Sequence, residues 1–224
     1  MRIRQRLALG FGVVIVIVVA LSAFSVTQMT AIMKNLNGIY TKMLPAIDFL
    51  DQADRDLYQL LEAERTMLLV DPASQRGTDL VKAYDENYAQ SVERMGKYAA
   101  LAQTLEEKKL YASYLEDLKA WTDLSKEAFR LARSPDPRLR SEGLALSLGK
   151  AAQAFGALRG RINALEELVL ANSEKLAQAS DKSFRQAFVV LIAASILAAL
   201  LVVILSLLIT RSITRPLASS VVFA

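Results

Sequence analysis

The stretch LNGIYTKMLPAIDFLDQADRDLYQLLEAERTML, residues 36–68, decides the fold. Counted from Leu36 in steps of alternately four and three, it places Leu36, Tyr40, Met43, Ile47, Leu50, Asp54, Leu57, Leu61, Glu64 and Leu68 on one stripe. That spacing returns to the same side of a helix every two turns. The segment therefore reads as an amphipathic helix with a heptad seam, broken by the acids Asp54 and Glu64. Nothing in it alternates with the two-residue period of a strand. The helix ends at Asp71-Pro72-Ala73-Ser74, where proline blocks continuation and Gln-Arg-Gly completes a turn.

The same period recurs three times downstream. A second helix starts near Thr78 and carries Leu80, Tyr84, Tyr88, Val92, Met95 and Tyr98. Thr104 with Glu107 three residues on is a capping box opening a third, which presents Tyr111, Leu115, Leu118, Trp121, Leu124, Phe129 and Leu131 and stops at Ser134-Pro135-Asp136-Pro137. The fourth shows Leu144, Leu148, Ala151, Phe155, Leu158, Ile162, Leu165, Val169, Asn172 and Leu176, then continues without a breaker. Four amphipathic helices joined by short turns make an antiparallel bundle.

On either side the chain turns apolar. LALGFGVVIVIVVALSAF at 7–24 lies in a run that carries no charge from Leu7 to Met33, and a second uncharged run extends from Gln186 to Thr210. Each is long enough to span hydrocarbon as a helix. Arg2, Arg4 and Arg6 precede the first and Arg211 and Arg215 follow the second, which by the positive-inside bias puts both ends in the cytoplasm; Lys34, Lys182 and Arg185 oppose it. A cleavable signal peptide is the competing reading of the first run, with RIRQR as its charged start and Ala20-Leu21-Ser22 as a cleavage pattern. The run exceeds the usual h-region of ~7–15 residues.

Composition narrows the chemistry. With 53% hydrophobic side chains, nine Gly and five Pro among 224 residues, the chain is short of loop formers and greasier than a soluble domain. It has no His and no Cys, which removes imidazole triads, thiol nucleophiles, disulfides and the usual zinc ligands. No enzyme activity and no cofactor are expected. The net charge of +4 is spread along the chain with no dense basic run, so no nucleic-acid partner is expected either.

After the second apolar run comes Thr210-Arg-Ser-Ile-Thr-Arg-Pro-Leu217, which resembles the opening of a HAMP domain, the coiled-coil module that follows the last span of bacterial chemoreceptors and many sensor kinases. Pro216 suits a helix start, where its missing N–H removes no intrahelical bond. With the arginine-led first span and the bundle between, the chain resembles the sensory half of a methyl-accepting chemotaxis protein. The resemblance implies an all-α, membrane-anchored antiparallel four-helix bundle flanked by two transmembrane helices. Its expected parts are a cytoplasmic N-terminus at 1–6, spans at 7–29 and 187–209, a periplasmic sensor bundle at 30–186, and a truncated HAMP start at 210–224. The implied function is a homodimeric inner-membrane receptor that binds a small solute and passes a helix shift inward for chemotaxis. Two alternatives remain open: an interaction module that docks a periplasmic binding protein, and the sensor half of a histidine kinase.

In receptors of this kind small ligands sit in the membrane-distal half of the bundle, often across the dimer, with arginines on a carboxylate. Arg65 lies about 35 residues beyond the first span, and the same count back from the second reaches Ala152. Arg65, Gln153, Gly149 and Gly156 are therefore the candidate ligand-binding residues: a guanidinium fork for a carboxylate, a polar partner, and two positions without side-chain volume. Arg65 also reads as a solvated arginine paired with nearby acids, and the glycines, with Gly160, as allowances for close helix approach. Asp54, Glu64 and Asn172 line a wet pocket or set dimer register. Tyr84, Tyr88, Tyr98 and Trp121 form an aromatic wall for a ligand or plain core.

Overall fold

The computed structural model describes residues 3–211, so the Ser-Ile-Thr-Arg-Pro-Leu string at 212–217, which carries the expected HAMP start, lies outside the described residues. The helices are α1 (Ile3–Gly38), α2 (Leu44–Met67), α3 (Gln75–Leu101), α4 (Leu105–Ala132), α5 (Pro137–Leu146) and α6 (Ala152–Ile209). Wider π-helical turns, Ile39–Met43 and Ser147–Ala151, join α1 to α2 and α5 to α6. There is no strand among the described residues. One compact unit is Asn37–Lys175; the residues flanking it on both sides form the other.

In the flanking unit most apolar side chains are exposed, among them Val16 at 67% and Leu197 at 58%. Two helices there are long and apolar enough to cross a membrane. Exposure on this scale is costly in water and natural in lipid. Hydroxyls along α1 are satisfied within the helix: Ser22 donates to Val18 O at 2.9 Å, Ser25 to Leu21 O at 2.7 Å, Thr27 to Ala23 O at 2.9 Å and Thr30 to Val26 O at 2.8 Å. A hydroxyl returned to its own backbone needs no water.

The bundle unit is organised by the buried stripe of α2. Met43, Ala46, Leu50, Ala53, Leu57, Leu60, Glu64 and Met67 are all buried, spaced strictly three and four. This corrects the seam counted from Leu36, which coincides with the stripe at Met43, Leu50, Leu57 and Glu64, with Leu61 buried beside it. Tyr40 is 68% exposed, and Ile47 and Leu68 are only half-buried. The counted positions lie one residue round the helix because alanines 46 and 53 occupy core sites. Small side chains there let the neighbouring helices close in, a packing choice that hydrophobicity alone does not signal. From the fourth helix Leu158, Ile162, Leu165 and Val169 are wholly buried. Each such aliphatic side chain contributes roughly 1.5–3 kcal/mol relative to exposure.

The π-turns have local causes. Pro45 has no N–H, and its ring would strike the carbonyl four residues back. The ladder widens immediately before it, with Leu44 N–H donating to Ile39 O, five residues back. At the second π-turn the buried residues run Gly143, Ser147, Ala151, Phe155 in steps of four. Four α-helical residues overshoot a full turn, whereas a wider turn holds such a series on one face. The expected stripe through Leu144 and Leu148 is thereby displaced, leaving these leucines 44% and 57% exposed.

Helix ends follow local chemistry. The capping box is present: Glu107 N–H donates to Thr104 Oγ1 at 3.1 Å, and Glu107 Oε2 accepts from Thr104 N–H at 2.7 Å. Ser74 caps α3, whose first residue Gln75 lies three before the expected start, by accepting from Gly77 N–H at 3.1 Å. Asp136 caps α5 by accepting from Arg138 N–H at 2.8 Å, with Pro137 in the first turn. At the end of α2 the Arg140 guanidinium donates to Leu68 O at 2.5 Å and Val70 O at 3.0 Å, supplying partners the last turn lacks.

Gly143 is where α5 presses on α4: a Cβ there would stand 2.9 Å from Leu131 Cβ and 3.0 Å from Ala128 O. Around Gly156 nothing lies within 4 Å. Gly143→Ala is therefore predicted to destabilise the chain by about 1–3 kcal/mol through overpacking, and Gly156→Ala to stabilise it by about 1 kcal/mol through helix propensity. Urea unfolding of the two variants tests this. Equal effects would show that α5 does not need the close approach.

Candidate functional site

The centre of the bundle is polar. Glu64 on α2 has no exposed surface. Its carboxyl accepts from Ser147 Oγ of the second π-turn at 2.5 Å and bonds Ser125 Oγ of α4. Ser125 shares a 2.9 Å hydrogen bond with the Tyr84 hydroxyl of α3, and the Tyr84 ring stacks on Phe129 at 4.3 Å. One carboxyl thus joins all four helices of the bundle. Burial raises the Glu64 pKa above the ordinary carboxylate value; the two serine bonds and the adjacent Arg65 charge pull it back in part. The Tyr84 hydroxyl, also desolvated, is pushed up to about 12 and stays protonated.

Two further ion clusters flank this centre. Asp56, wholly buried on α2, pairs with Arg94 of α3 and with Arg55 at 3.0 Å. Asp54 is held in bidentate fashion by Arg159 of α6, at 2.8 and 3.0 Å, and the guanidinium lies 4.6 Å from the Tyr58 ring centre. Asp54 is therefore an ion-pair residue joining α2 to α6. Beside it Glu166 shares a hydrogen bond with Asp51, and its pKa is raised to about 7, first by burial and then by the Asp51 charge.

The four expected site residues do not share one environment within a single chain. Arg65 is half-buried, and its Nε is buried with no hydrogen-bond partner among the described residues. Gln153, Gly149 and Gly156 are exposed, and neither glycine has a neighbour within 4 Å of where a Cβ would lie. A groove of about 310 Å³ runs between α2 and α3 past Gln59, Glu62, Arg76 and Asn87, and another of about 470 Å³ lies against Pro72, Lys82, Asp85 and Arg133. Arg65 lines neither of these. Among the aromatics, Trp121 packs on Phe155 at 5.0 Å and Tyr98 lies 6.3 Å from Tyr111, which is core packing. Asn172 is half-buried with its Nδ2 unpartnered among the described residues.

Sequence reasoning missed Ser125, Ser147, Arg159 and Glu166. Arg159 had a usable signal, because Asp54 on a seam requires a cation and Arg159 is on the facing helix. The serines had none, since a small hydroxyl carries no hydrophobic or charge pattern.

The Asp51–Glu166 pair yields a signed prediction. A carboxyl whose folded pKa lies above its unfolded value favours folding most at low pH, and that support is lost as pH rises from the ordinary glutamate value to about 7. Glu166→Gln should flatten the fall in stability over this window while leaving stability at low pH little changed. Urea midpoints measured across the window decide it, and an unchanged slope in the variant would refute it.

Compared with known proteins, residues 1–184 match the family described as a four helix bundle sensory module for signal transduction. No curated protein and no solved structure matches the chain. The matched residues include the first apolar helix and the whole Asn37–Lys175 unit. The family is a sensory signal-transduction module and not a known enzyme family. Its all-helical architecture, the four-helix core around Glu64 and the two apolar helices agree with the match: the chain belongs to the four-helix-bundle sensory modules of methyl-accepting chemotaxis proteins.

Proposed function

We propose that the chain is the sensory part of a chemoreceptor that binds a small carboxylate, an organic acid or amino acid, outside the inner membrane and passes a helix shift inward. The observation that carries this reading is the Arg65 guanidinium, half-buried with an Nε unpartnered among the described residues. An arginine in that state has unused donors, and a carboxylate offers the matching planar acceptor. Gln153, Gly149 and Gly156 face outward on the fourth helix, so in this reading they meet Arg65 only through a second copy, and the site lies between two protomers. Both chain ends are cytoplasmic and residues 30–186 periplasmic, in keeping with the arginines at 2, 4, 6, 211 and 215.

A solute acts only through unequal affinity for two states. A tenfold preference supplies ~1.4 kcal/mol, enough to tip a bundle poised near balance. The packing that ties α2 to the fourth helix makes their relative position the natural variable. No covalent chemistry is required of any residue.

Titration calorimetry of the full chain in nanodiscs against organic acids and amino acids tests the binding. Arg65→Lys is the cleaner variant, because it keeps a cation beside Glu64 while losing the planar fork. It should weaken an acidic ligand by ~1–3 kcal/mol, the range for hydrogen bonds to charged groups, with Arg65→Ala weaker still. Unchanged affinity in both variants would remove Arg65 from the site. Reporter fusions after Lys97 and Leu217 test the topology: the first should report the periplasm and the second the cytoplasm, and a reversed pair would overturn the receptor reading.

A further inference from the structure

We propose that Glu64 is a proton-binding switch, whose loading sets how firmly the π-turn Ser147–Ala151 is held against α2, so that the pH around the bundle biases its conformation independently of any solute. The geometry is specific. A single carboxyl is the meeting point of Ser147 from the fourth helix and Ser125 from α4, with Tyr84 from α3 behind Ser125. Of the charged and titratable groups around it, α2 contributes Arg65 and α3 contributes Tyr84; α4 and the π-turn present the two serine hydroxyls, which do not titrate near neutrality. Among the described residues no cation hydrogen-bonds Glu64, so the ionised form is held by the two hydroxyls and by the Arg65 charge acting without a hydrogen bond.

With the proton bound, the carboxyl donates to one serine and accepts from the other, and both of its oxygens keep a partner without a buried negative charge. With the proton lost, both serines must donate, and Glu64 becomes an ionised group in a site with no exposed surface. That form is stabilised by any motion that admits water or draws the carboxylate toward Arg65. The element able to move is the π-turn. Ser147 N–H already divides its bond between Gly143 O and Leu144 O, where the narrow ladder gives way to the wide one. A shift of the wide turn along the helix displaces Ser147 without breaking the helix. Burial raises the Glu64 pKa, which moves the change up from the ordinary glutamate range toward neutrality.

The chain has no cysteine, so Gln59→Cys on α2 and Lys150→Cys in the π-turn accept spin labels cleanly. Pulsed-EPR distances on the full chain in nanodiscs, without added solute, should lengthen or broaden as pH rises through one single-proton transition. Glu64→Gln, which cannot ionise, should hold the low-pH distribution throughout, and Glu166→Gln should keep the wild-type response. If Glu64→Gln does not fold, infrared difference spectra of Glu166→Gln, which removes the other raised carboxyl, take its place: the protonated-carboxyl band should disappear with the same midpoint as the distance change. A flat wild-type profile, a response that survives Glu64→Gln, or one abolished by Glu166→Gln would each overturn the proposal. None of these results depends on solute binding, so the receptor reading stands or falls separately.

Discussion

The bundle depends on a carboxyl placed where an apolar side chain would fit the pattern. Glu64 occupies a seam position between Leu60 and Met67, both wholly buried. An unpartnered carboxylate there would cost several kcal/mol, which the hydrophobic neighbours would have to offset. Instead the fold brings one serine from each of two other helices to it. Apolar stripes are tolerant of rotation and sliding, because any leucine meets any other at similar cost. A hydrogen-bonded carboxyl tolerates neither, so Glu64 fixes the register of α2 against α4 and the fourth helix.

Other features are consistent with that constraint. Ser147 can face Glu64 because the π-turn keeps Gly143, Ser147, Ala151 and Phe155 on one side. Gly143 allows α5 to lie close on α4, and Arg140 closes the end of α2 one turn beyond Glu64. The Asp54–Arg159 and Asp56–Arg94 pairs are charged analogues of the same device, joining α2 to α6 and to α3. A sensory module needs helices held in few, discrete arrangements, and polar ties distributed along one helix supply them.

Much of this was legible in the residues. The two uncharged runs, the four helices, the turns at Pro72 and Pro135 and the Thr104 capping box follow from period, proline and cap chemistry. Details of the stripes were less so. In α3, Ser91 and not Val92 is buried, because the heptad step from Tyr84 to Met95 passes through 91 and packing geometry outranks side-chain polarity. In the fourth helix the π-turn shifted the stripe from Leu144 and Leu148 to Gly143 and Ser147, and no local sequence rule announces a π-turn without a proline beside it. At the candidate site, Arg65 was visible as a guanidinium level with Gly149, Gln153 and Gly156, and as an arginine beside acids. That Glu64 instead bonds two serines was not, since small hydroxyls leave no pattern in the sequence.

The central claim is that Glu64 holds the fourth helix to α2 through Ser147, beyond what the apolar stripe supplies. A double-mutant cycle of Glu64→Ala and Ser147→Ala, read by urea unfolding of the full chain at neutral pH, isolates that term from the cavities each substitution leaves. The account predicts a coupling of about 1–3 kcal/mol, as for hydrogen bonds to a buried carboxyl. Effects that simply add, to within about 0.5 kcal/mol, would contradict it and leave the apolar stripe as the sole tie between the two helices.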